Sequence, residues 1–246
     1  MRKRCLHIST KAQAANKYAC LPIPDKTYAE NNSAAKGYNM RIITGSARGV
    51  ALATLEGEAT RPTGDRAKEA LFSMIQFDIE GRRVLDLFAG SGQLGLEALS
   101  RGAEHCVFTD ESRAATDIIL ANAKKTKLFD KCRISTIGYE TFLSSAAGRE
   151  AFDIIFLDPP YASGYVATAL RMIADGGLLR SGGRIVCETD NGTAPVKKRD
   201  LKRDEYHSAR VFEQVFSADS EHSERYTVIR TALYGRTRIT LLEMKK

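Results

Sequence analysis

A short apolar run that ends in a glycine-rich turn constrains this chain more than any other stretch. Residues 83–88, RVLDLF, are rich enough in branched side chains to form a buried strand. Gly90, Gly92 and Gly95 follow with G-x-G-x-x-G spacing, and apolar residues then continue at helical intervals. Glycines let a backbone turn sharply and approach a ligand closely, while the start of a helix offers unpaired N–H groups. The order strand, glycine turn and helix therefore predicts a nucleotide-binding corner.

Two carboxylates limit the kinds of ligand that this corner can bind. The glycine spacing alone suits a dinucleotide as well as other adenosine cofactors. Asp86 lies inside the strand just before the turn, where a carboxylate would repel a pyrophosphate and favour a cation. Asp110 ends the next predicted strand, at about the offset from which an acid reaches a ribose in adenosine-binding folds. Together they suit a ligand with a cationic end and a free ribose diol, such as S-adenosyl-L-methionine.

Strands and helices alternate along most of the chain. Strands are predicted at 83–88, 106–110, 133–137, 152–157 and 184–189, and helices at 67–75, 112–128 and 165–179. Residues 152–157, FDIIFL, are apolar throughout, which favours a central strand. Two further strands, 228–234 and 237–243, follow each other around Gly235 and must pair antiparallel or lie apart. The pattern predicts a doubly wound α/β sheet with its ligand at the carboxyl ends of the strands.

The composition of the chain changes at Met40. Residues 1–39 mix a basic start with scattered Ala and Asn and lack periodicity, which indicates a disordered extension. A transit-like or RNA-binding arm is the alternative, and Met40 is a candidate translation start. Residues 40–246 are predicted to form one domain, with an amino-terminal hairpin at 40–62 and a Rossmann-like core at 63–246.

The charge and the cysteine content of the chain limit the kinds of partner and bond that we expect. The 246 residues include 37 Lys and Arg against 30 Asp and Glu, a net charge of +7, which favours an anionic partner such as nucleic acid. No apolar stretch is long enough to span a bilayer, so we expect a soluble, cytoplasmic protein without a membrane partner. The five cysteines lack C-x-x-C pairing, which favours buried free thiols over disulfides or zinc. No metal site is predicted.

The most specific motif is Asp-Pro-Pro-Tyr at residues 158–161, directly after the predicted central strand. Proline lacks an N–H and has a fixed φ, so Pro159 and Pro160 hold the backbone rigid beside the ligand. The Asp158 carboxylate and a backbone carbonyl are two acceptors, which fits an exocyclic amine with two donors. Tyr161 offers a ring on which a base can stack. The motif therefore predicts methyl transfer to an amino group of a nucleobase.

Four segments resemble the RsmD-type 16S ribosomal RNA guanine-N2-methyltransferases. They are MRIITGSARG, RPTGDRAKEALF, VLDLFAGSGQLGLEALSRGA and FLDPPY, and the terminal YGRTRITLL is also similar. The resemblance covers residue 40 to the carboxyl terminus. It implies a class I S-adenosylmethionine-dependent fold with seven strands, mostly parallel, and an antiparallel carboxyl-terminal strand. It also implies methylation of one guanine N2 amine in 16S rRNA, within the small ribosomal subunit or an assembly intermediate.

The resemblance implies roles for individual positions. Target amine and base would be held by Asp158, Pro159, Pro160 and Tyr161. Contacts to the cofactor would come from Thr63, Asp86, Phe88, Gly90, Gly92, Gly95, Asp110 and Tyr139. Positive charge makes further residues candidate phosphate contacts, namely Arg41, Arg48, Arg61, Arg66, Lys197, Lys198 and Arg199. Relatives usually carry Asp or Asn where this chain has Gly138-Tyr139, so backbone groups or the Tyr139 ring are the candidates for binding adenine.

Other functions are compatible with parts of the pattern. The Asp-Pro-Pro-Tyr motif also suits methylation of adenine N6 in DNA or of an amine in another RNA. The glycine spacing alone suits an NAD-dependent oxidoreductase, which Asp86, the Asp-Pro-Pro-Tyr motif and the paired terminal strands disfavour. A non-catalytic RNA-binding module with the same fold is a further alternative. A monomer is expected.

Overall fold

The computed structural model describes residues 40–55, 65–160, 165–190, 224–235 and 237–245. The predicted extension at 1–39 therefore lies outside the described residues. So do six predicted site residues, which are Arg61, Thr63, Tyr161, Lys197, Lys198 and Arg199.

One seven-stranded sheet forms the centre of the described chain. Its strands are β1 (Arg83–Asp86), β2 (His105–Asp110), β3 (Cys132–Thr136), β4 (Phe152–Leu157), β5 (Leu179–Asp190), β6 (Tyr226–Tyr234) and β7 (Thr237–Met244). They lie in the order β3-β2-β1-β4-β5-β7-β6. Strands β1 to β5 are parallel, while β7 runs antiparallel to both β5 and β6. All six residues of β4 are buried between β1 and β5, which confirms the central strand predicted from its apolar run.

Helices cover both faces of this sheet. They are α1 (Asp65–Met74), α2 (Gln93–Ser100), α3 (Arg113–Lys125), α4 (Tyr139–Ala146) and α5 (Tyr165–Asp175), with a short 3-10 helix at Phe129–Lys131. One apolar core contains Leu71, Leu96 and Ile119 from α1, α2 and α3. A second core, on the opposite face, contains Phe142 of α4 and Leu170 of α5. The doubly wound α/β architecture predicted from the sequence is confirmed.

The amino-terminal segment, residues 40–55, folds back on itself as the predicted hairpin does, but less regularly. It contains one antiparallel bridge, between Arg41 and Ala51, in place of two regular strands. The turn between its two arms also bonds to α2, where the Ser46 N–H donates to the Ser100 carbonyl at 2.8 Å. Gly45 permits this approach, since a Cβ there would lie 1.8 Å from the Ser100 oxygen. The segment is thus packed onto α2.

Helix and strand ends near the second core also differ from the prediction. The helix predicted to end at residue 179 ends at Asp175, because Gly176 and Gly177 form a turn in which Gly177 has a φ of 63°. Strand β5 consequently begins at Leu179, five residues before the predicted Arg184. Its pairing with β4 shifts register over that additional length.

The described cysteines are free thiols, as predicted. Cys106 and Cys187 are buried, and Cys132 is partly buried. Burial raises the pKa of the Cys132 thiol to about 12, so this thiol is protonated near neutral pH. Cys5 and Cys20 lie outside the described residues. Within the described ranges, no helix is long and apolar enough to cross a membrane.

Candidate active site

A cavity of about 410 Å³ lies at the carboxyl ends of the parallel strands. Asp86 ends β1, Asp110 ends β2 and Asp158 directly follows β4, so the sheet itself brings these carboxylates together. The cavity is lined by Met40, Asp86, Leu87, Phe88, Ala89, Gly90, Ser91, Gln93, Leu94, Asp110, Glu111, Ile137, Tyr139, Asp158, Pro160 and Tyr165. It therefore lies at the edge of the sheet where the sequence predicts a ligand.

Asp86 is the most buried acid of this cavity, with 1% of its surface exposed. Its Oδ2 accepts a hydrogen bond of 2.9 Å from the Gly95 N–H. Burial raises the pKa of Asp86 to about 7, the Gly95 hydrogen bond opposes this rise, and the negative charges of Asp158 and Asp110 add to it. A cationic ligand placed beside Asp86 would be stabilised by the ionised carboxylate and would lower its pKa.

Asp110 fixes the glycine turn from the neighbouring strand. Its Oδ2 accepts from the Gly90 N–H at 2.9 Å, and its Oδ1 accepts from the Ser112 N–H at 2.8 Å. Each carboxylate oxygen can accept more than one hydrogen bond, so these contacts leave capacity for a ligand diol. Asp110 is half-buried and lines the cavity, as its predicted role requires.

The three glycines of the turn do different things. Gly90, with a φ of 52°, lines the cavity. Gly92, with a φ of 78°, precedes α2, and a Cβ there would lie 3.2 Å from the Ile119 side chain. A Cβ on Gly95 would lie only 2.2 Å from the Phe108 ring. Gly92 and Gly95 are not among the lining residues. Gly92 instead allows the backbone to turn before α2, and Gly95 allows α2 to pack closely on β2.

The lining of the cavity is acidic. Asp86, Asp110, Glu111 and Asp158 contribute four carboxyl groups, and the described lining residues include no Lys, Arg or His. Such a lining attracts a cation and repels a pyrophosphate. The volume is also in the range typical of pockets that hold small ligands, roughly 300–1,000 Å³. These features fit S-adenosylmethionine, which is cationic at its methionine end, better than they fit a dinucleotide.

Three aromatic rings border the same cavity. The Phe88 and Tyr165 rings are stacked, with centroids 6.0 Å apart and planes inclined by 3°. Tyr139 contacts both, with centroids at 5.1 Å from Phe88 and 5.0 Å from Tyr165. Burial, followed by the neighbouring Glu140, raises the pKa of Tyr139 to about 12, so its ring stays uncharged. The three rings offer flat apolar surface to a base.

Tyr165 was not recognised from the sequence as a site residue. The available signal was its place at the start of α5, shortly after the Asp-Pro-Pro-Tyr motif, but an aromatic residue there is equally compatible with helix packing. Within that motif, Asp158 is half-buried and Pro160 is exposed, and both line the cavity. Pro159 is buried and is absent from the lining.

A second missed residue, Glu97, holds the amino-terminal segment in place. Its carboxylate is fully buried and accepts hydrogen bonds from the N–H groups of Ile43, at 2.7 Å, and Thr44, at 3.0 Å. Lys68 and Arg101 balance its charge, with nitrogens 3.5 Å and 2.8 Å from the carboxylate oxygens. Nothing in a helical sequence pattern identifies such a residue, because the N–H groups that it binds lie more than fifty residues earlier in the chain.

Asn122 of α3 joins this segment to the glycine turn. Its Oδ1 accepts from the Ala53 N–H at 2.8 Å, and its Nδ2 donates to the carbonyls of Ala53, at 3.0 Å, and Ser91, at 2.9 Å. The Ser91 hydroxyl in turn donates to the Met40 sulfur at 3.3 Å. Because Met40 and Ser91 both line the cavity, the amino-terminal segment forms part of its wall.

The described candidate phosphate contacts lie outside the cavity lining. Arg41, Arg48 and Arg66 are exposed and are absent from the lining residues. The Arg41 carbonyl accepts a hydrogen bond from the Lys68 ammonium, which ties its backbone to α1. Their role in binding RNA stays a prediction.

Comparison with known proteins identifies relatives over most of the chain. The family described as "Conserved hypothetical protein 95" matches residues 40–214. YlbH of Bacillus subtilis (strain 168), provisionally named an rRNA methyltransferase, is 44% identical over 152 residues, which are 61% of this chain and 83% of YlbH. "Ribosomal RNA small subunit methyltransferase D" of Haemophilus influenzae is 35% identical over 157 residues, 63% of this chain and 81% of the relative. The protein of the same name in Escherichia coli K12 is 33% identical over 159 residues, 64% of this chain and 79% of the relative.

Solved structures agree with this relationship. Escherichia coli yhhF, provisionally described as a methyltransferase, has a TM-score of 0.64 and 27% identity, and the match covers 84% of this chain and 98% of yhhF. A provisionally described methylase of Haemophilus influenzae has a TM-score of 0.60 and 26% identity, and the match covers 83% of this chain and 97% of the methylase. The fold is thus that of class I S-adenosylmethionine-dependent methyltransferases, as the motifs predict. Since the family match spans more than half of the residues, this chain belongs to the Conserved hypothetical protein 95 family, the RsmD family of methyltransferases.

Proposed function

We propose that this protein methylates the exocyclic N2 amine of a guanine in 16S rRNA, using S-adenosylmethionine as the methyl donor. The observation that carries the proposal is the convergence of Asp86, Asp110 and Asp158 on one cavity that has an acidic lining. Relatives named for small-subunit rRNA methylation support the class of substrate. The small ribosomal subunit, assembled or in assembly, is the proposed partner.

The donor half of the site is formed by the first two strand ends and the glycine turn. Asp86 would hold the cationic methionine end, Asp110 would accept from the ribose hydroxyls, and Gly90 would allow the close approach of the backbone. Phe88 and Tyr139 would contact the apolar parts of the cofactor, including adenine. S-adenosylmethionine supplies a methyl group activated by a positively charged sulfur. The turn and the start of α2 are preorganised for this task, because Asp110 already holds the Gly90 N–H and Asp86 holds the Gly95 N–H.

The acceptor half would be formed by Asp158 and Pro160, which line the cavity, and by Tyr161, as the motif predicts. The Asp158 carboxylate would accept a hydrogen bond from the target amine, which increases electron density on its nitrogen. A new N–C bond forms as the sulfur–methyl bond breaks, and the amine loses one proton. Asp158 would take up that proton and release it to solvent. Positioning of the two reacting atoms can supply several kcal/mol, on the order of 7–11 in the most favourable cases.

The substrate base must be accessible for this geometry. A guanine N2 in a paired stem lies inside the helix, so an unpaired or extruded guanine is the proposed substrate, at a cost of about a few kcal/mol. The aromatic group of Phe88, Tyr139 and Tyr165 provides surface at the cavity that could accommodate flat rings of either the cofactor or the base.

Replacement of Asp158 tests the proposal. Asp158→Ala should abolish transfer of a tritiated methyl group to small subunits and to naked 16S rRNA from cells that lack the modification, while titration calorimetry still detects cofactor binding. Asp117→Ala is the matched control, because Asp117 is an exposed acid on α3 that is absent from the cavity lining. Nucleoside analysis of the product distinguishes N2-methylguanine from N6-methyladenine. Full activity of Asp158→Ala, or a product other than N2-methylguanine, would contradict the proposal.

A further inference from the structure

We propose that a cluster of lysines far from the cavity is a second RNA-binding surface, which contacts the phosphate backbone of the substrate. The cluster comprises Lys124, Lys125, Lys127 and Lys131, and we call it the distal lysine patch. It lies at the end of α3 and in the 3-10 helix that precedes β3. The inference rests on the proposed action on RNA.

The charges of the distal lysine patch are not neutralised within the described part of the protein. All four lysines are exposed, and none of them forms an ion pair with a described residue. Neighbouring basic residues behave differently, since Arg113 pairs with Asp117 at 3.0 Å and Arg133 pairs with Glu150 at 2.8 Å. Within the patch, Asp130 is the single acid between residues 124 and 131. Four positive charges in eight residues match a polyanion.

An exposed aromatic ring accompanies these charges. Phe129 is 44% exposed, and the Lys124 ammonium lies 5.8 Å from the centre of its ring. A cation above an aromatic ring is held by the ring electrons, so Lys124 is partly oriented before a ligand binds. The open side of the ring could stack on an unpaired base, which is a common contact in RNA recognition.

The backbone of Lys127 provides an independent reason to expect a function. Its φ is 60°, and every other described residue with a positive φ is a glycine. A side chain in this conformation crowds the following carbonyl, and glycine avoids that crowding. The turn is held by hydrogen bonds from the Lys127 N–H to the Lys124 carbonyl and from the Leu128 N–H to the Ala123 carbonyl. These are the two hydrogen bonds of a common helix end, at which glycine usually adopts this conformation. Lysine therefore occupies a position at which glycine would fit the turn better, and we attribute this choice of residue to the charge of its side chain.

Helix electrostatics explains only part of the cluster. Lys124 and Lys125 lie in the last turn of α3, where positive charge is favourable beside the unpaired carbonyls of the helix. That effect falls off within one turn, so it does not account for Lys131. It also gives no reason to place a lysine in the strained conformation of residue 127.

The position of the patch determines what it can contact. Helix α3 has 13 residues, and its first turn follows Asp110 at the cavity edge, whereas the patch is at its other end. At about 1.5 Å per residue, the patch is roughly 20 Å from that edge, too far to touch the base that is methylated. Contacts at this distance would position a large RNA on the enzyme without reading its sequence.

Substitutions at Lys127 separate binding from folding. Lys127→Gly relieves the backbone and removes the charge, so the thermal unfolding midpoint should stay equal or rise while affinity for an in vitro transcript of 16S rRNA falls. Lys127→Asn tolerates the same conformation and should weaken binding similarly. Arg171→Gln is the control, because Arg171 is an exposed cation on α5, on the opposite face of the sheet. It removes one charge without touching the patch.

The salt dependence of binding measures the number of phosphate contacts. Each lost contact should reduce the slope of log affinity against log salt by about 0.7 to 0.9, and a variant with Gln at all four lysines should reduce it by about 3. The same variant should raise KM for RNA and leave kcat and the affinity for S-adenosylmethionine unchanged, because the patch does not contact the reacting atoms.

The outcomes distinguish the patch from the proposed function. If the four-lysine variant binds RNA with the affinity and salt dependence of the wild type, the patch does not bind RNA. If that variant still methylates rRNA, the proposed function is unaffected. Loss of binding together with a lowered unfolding midpoint in Lys127→Gly would also refute the patch, because the residue would then serve the fold. A wild-type enzyme that methylates no RNA would instead refute the proposed function, whatever the patch binds.

Discussion

Removal of the Glu97 carboxylate should destabilise the protein more than most single substitutions. Glu97→Ala deletes the acceptor for the N–H groups of Ile43 and Thr44 and the partner of a buried ammonium. The Lys68 side chain is 4% exposed and would keep its charge without the carboxylate beside it. The amino-terminal segment would at the same time lose its attachment to α2.

The magnitude follows from the burial of the pair. Breaking a buried ion pair by removing one partner costs about 3–5 kcal/mol, because the other charge is left in a poorly solvated place. Two N–H groups without acceptors would add about 1–3 kcal/mol each if they stayed buried. Ile43 is half-buried and Thr44 is exposed, so water can replace much of that loss. We therefore expect about 3–5 kcal/mol in total, a large share of the roughly 5–15 kcal/mol that stabilises a typical protein.

Urea unfolding followed by circular dichroism measures this loss. Glu97→Gln keeps the shape and one acceptor and should cost less, roughly 2–4 kcal/mol, which provides a folded variant if Glu97→Ala does not fold. Asp117→Ala removes an exposed ion pair from α3 and should cost no more than about 1 kcal/mol. A cost below about 1 kcal/mol for Glu97→Ala would show that the carboxylate does not hold the segment. Glu97→Gln should also weaken cofactor binding, because the wall containing Met40 would loosen.

Three further predictions concern Asp86 and two glycines near the cavity. Asp86 has a pKa raised from 3.8 to about 7, so the folded state binds an extra proton between these values, and stability should fall as pH rises through this range. In urea unfolding at pH 5 and pH 8, Asp86→Asn should lose this pH dependence of the free energy of unfolding. The variant should be more stable than the wild type at pH 8 and should bind S-adenosylmethionine poorly. The same change of stability with pH in both proteins would contradict this reasoning. Gly95→Ala should cost about 1–3 kcal/mol in urea unfolding, because its Cβ would overlap the Phe108 ring, whereas Gly138→Ala has open space and should cost less than about 1 kcal/mol. Gly138→Asp should stabilise α4 by a few tenths of a kcal/mol, because Asp is a good helix cap. If a carboxylate at this position reaches adenine, calorimetry should also show tighter cofactor binding. Unchanged affinity would favour adenine binding by the Tyr139 ring.

The sheet and its ligand edge could be predicted because their signals are local. Apolar runs of strand length, separated by helical intervals, specify alternating elements, and residues 152–157 also reveal the centre of the sheet. Strands joined by helices must be parallel, which places Asp86, Asp110 and Asp158 at one edge without further information. The site carboxylates therefore followed from their positions at strand ends, and the structure brings them to one cavity.

The contacts that close the cavity could not be predicted because their partners are far apart in sequence. Glu97 reads as an ordinary charged residue in an amphipathic helix, and its burial depends on backbone N–H groups of a segment that precedes it by more than fifty residues. Asn122 likewise forms hydrogen bonds to Ala53, which is 69 residues earlier in the chain, and to Ser91, which is 31 residues earlier. Periodicity describes which face of a helix is apolar, but it contains no information about which distant loop covers a polar group on that face.

The hydrogen bonds of the site carboxylates imply that the donor half functions as one unit. Asp86 holds the Gly95 N–H and Asp110 holds the Gly90 N–H, so the acids proposed to bind the cofactor also fix the turn that approaches it. An amide at position 86 would keep an acceptor for the Gly95 N–H but lose the charge, whereas an amide at position 110 would keep only one of the two acceptors that the Gly90 and Ser112 N–H groups use. Asp86→Asn should therefore preserve the backbone and lose affinity for a cationic ligand, whereas Asp86→Ala should lose both. Comparing Asn with Ala at position 86 separates the electrostatic contribution of this carboxylate from its structural one, and Asp110→Asn should disturb the backbone as well.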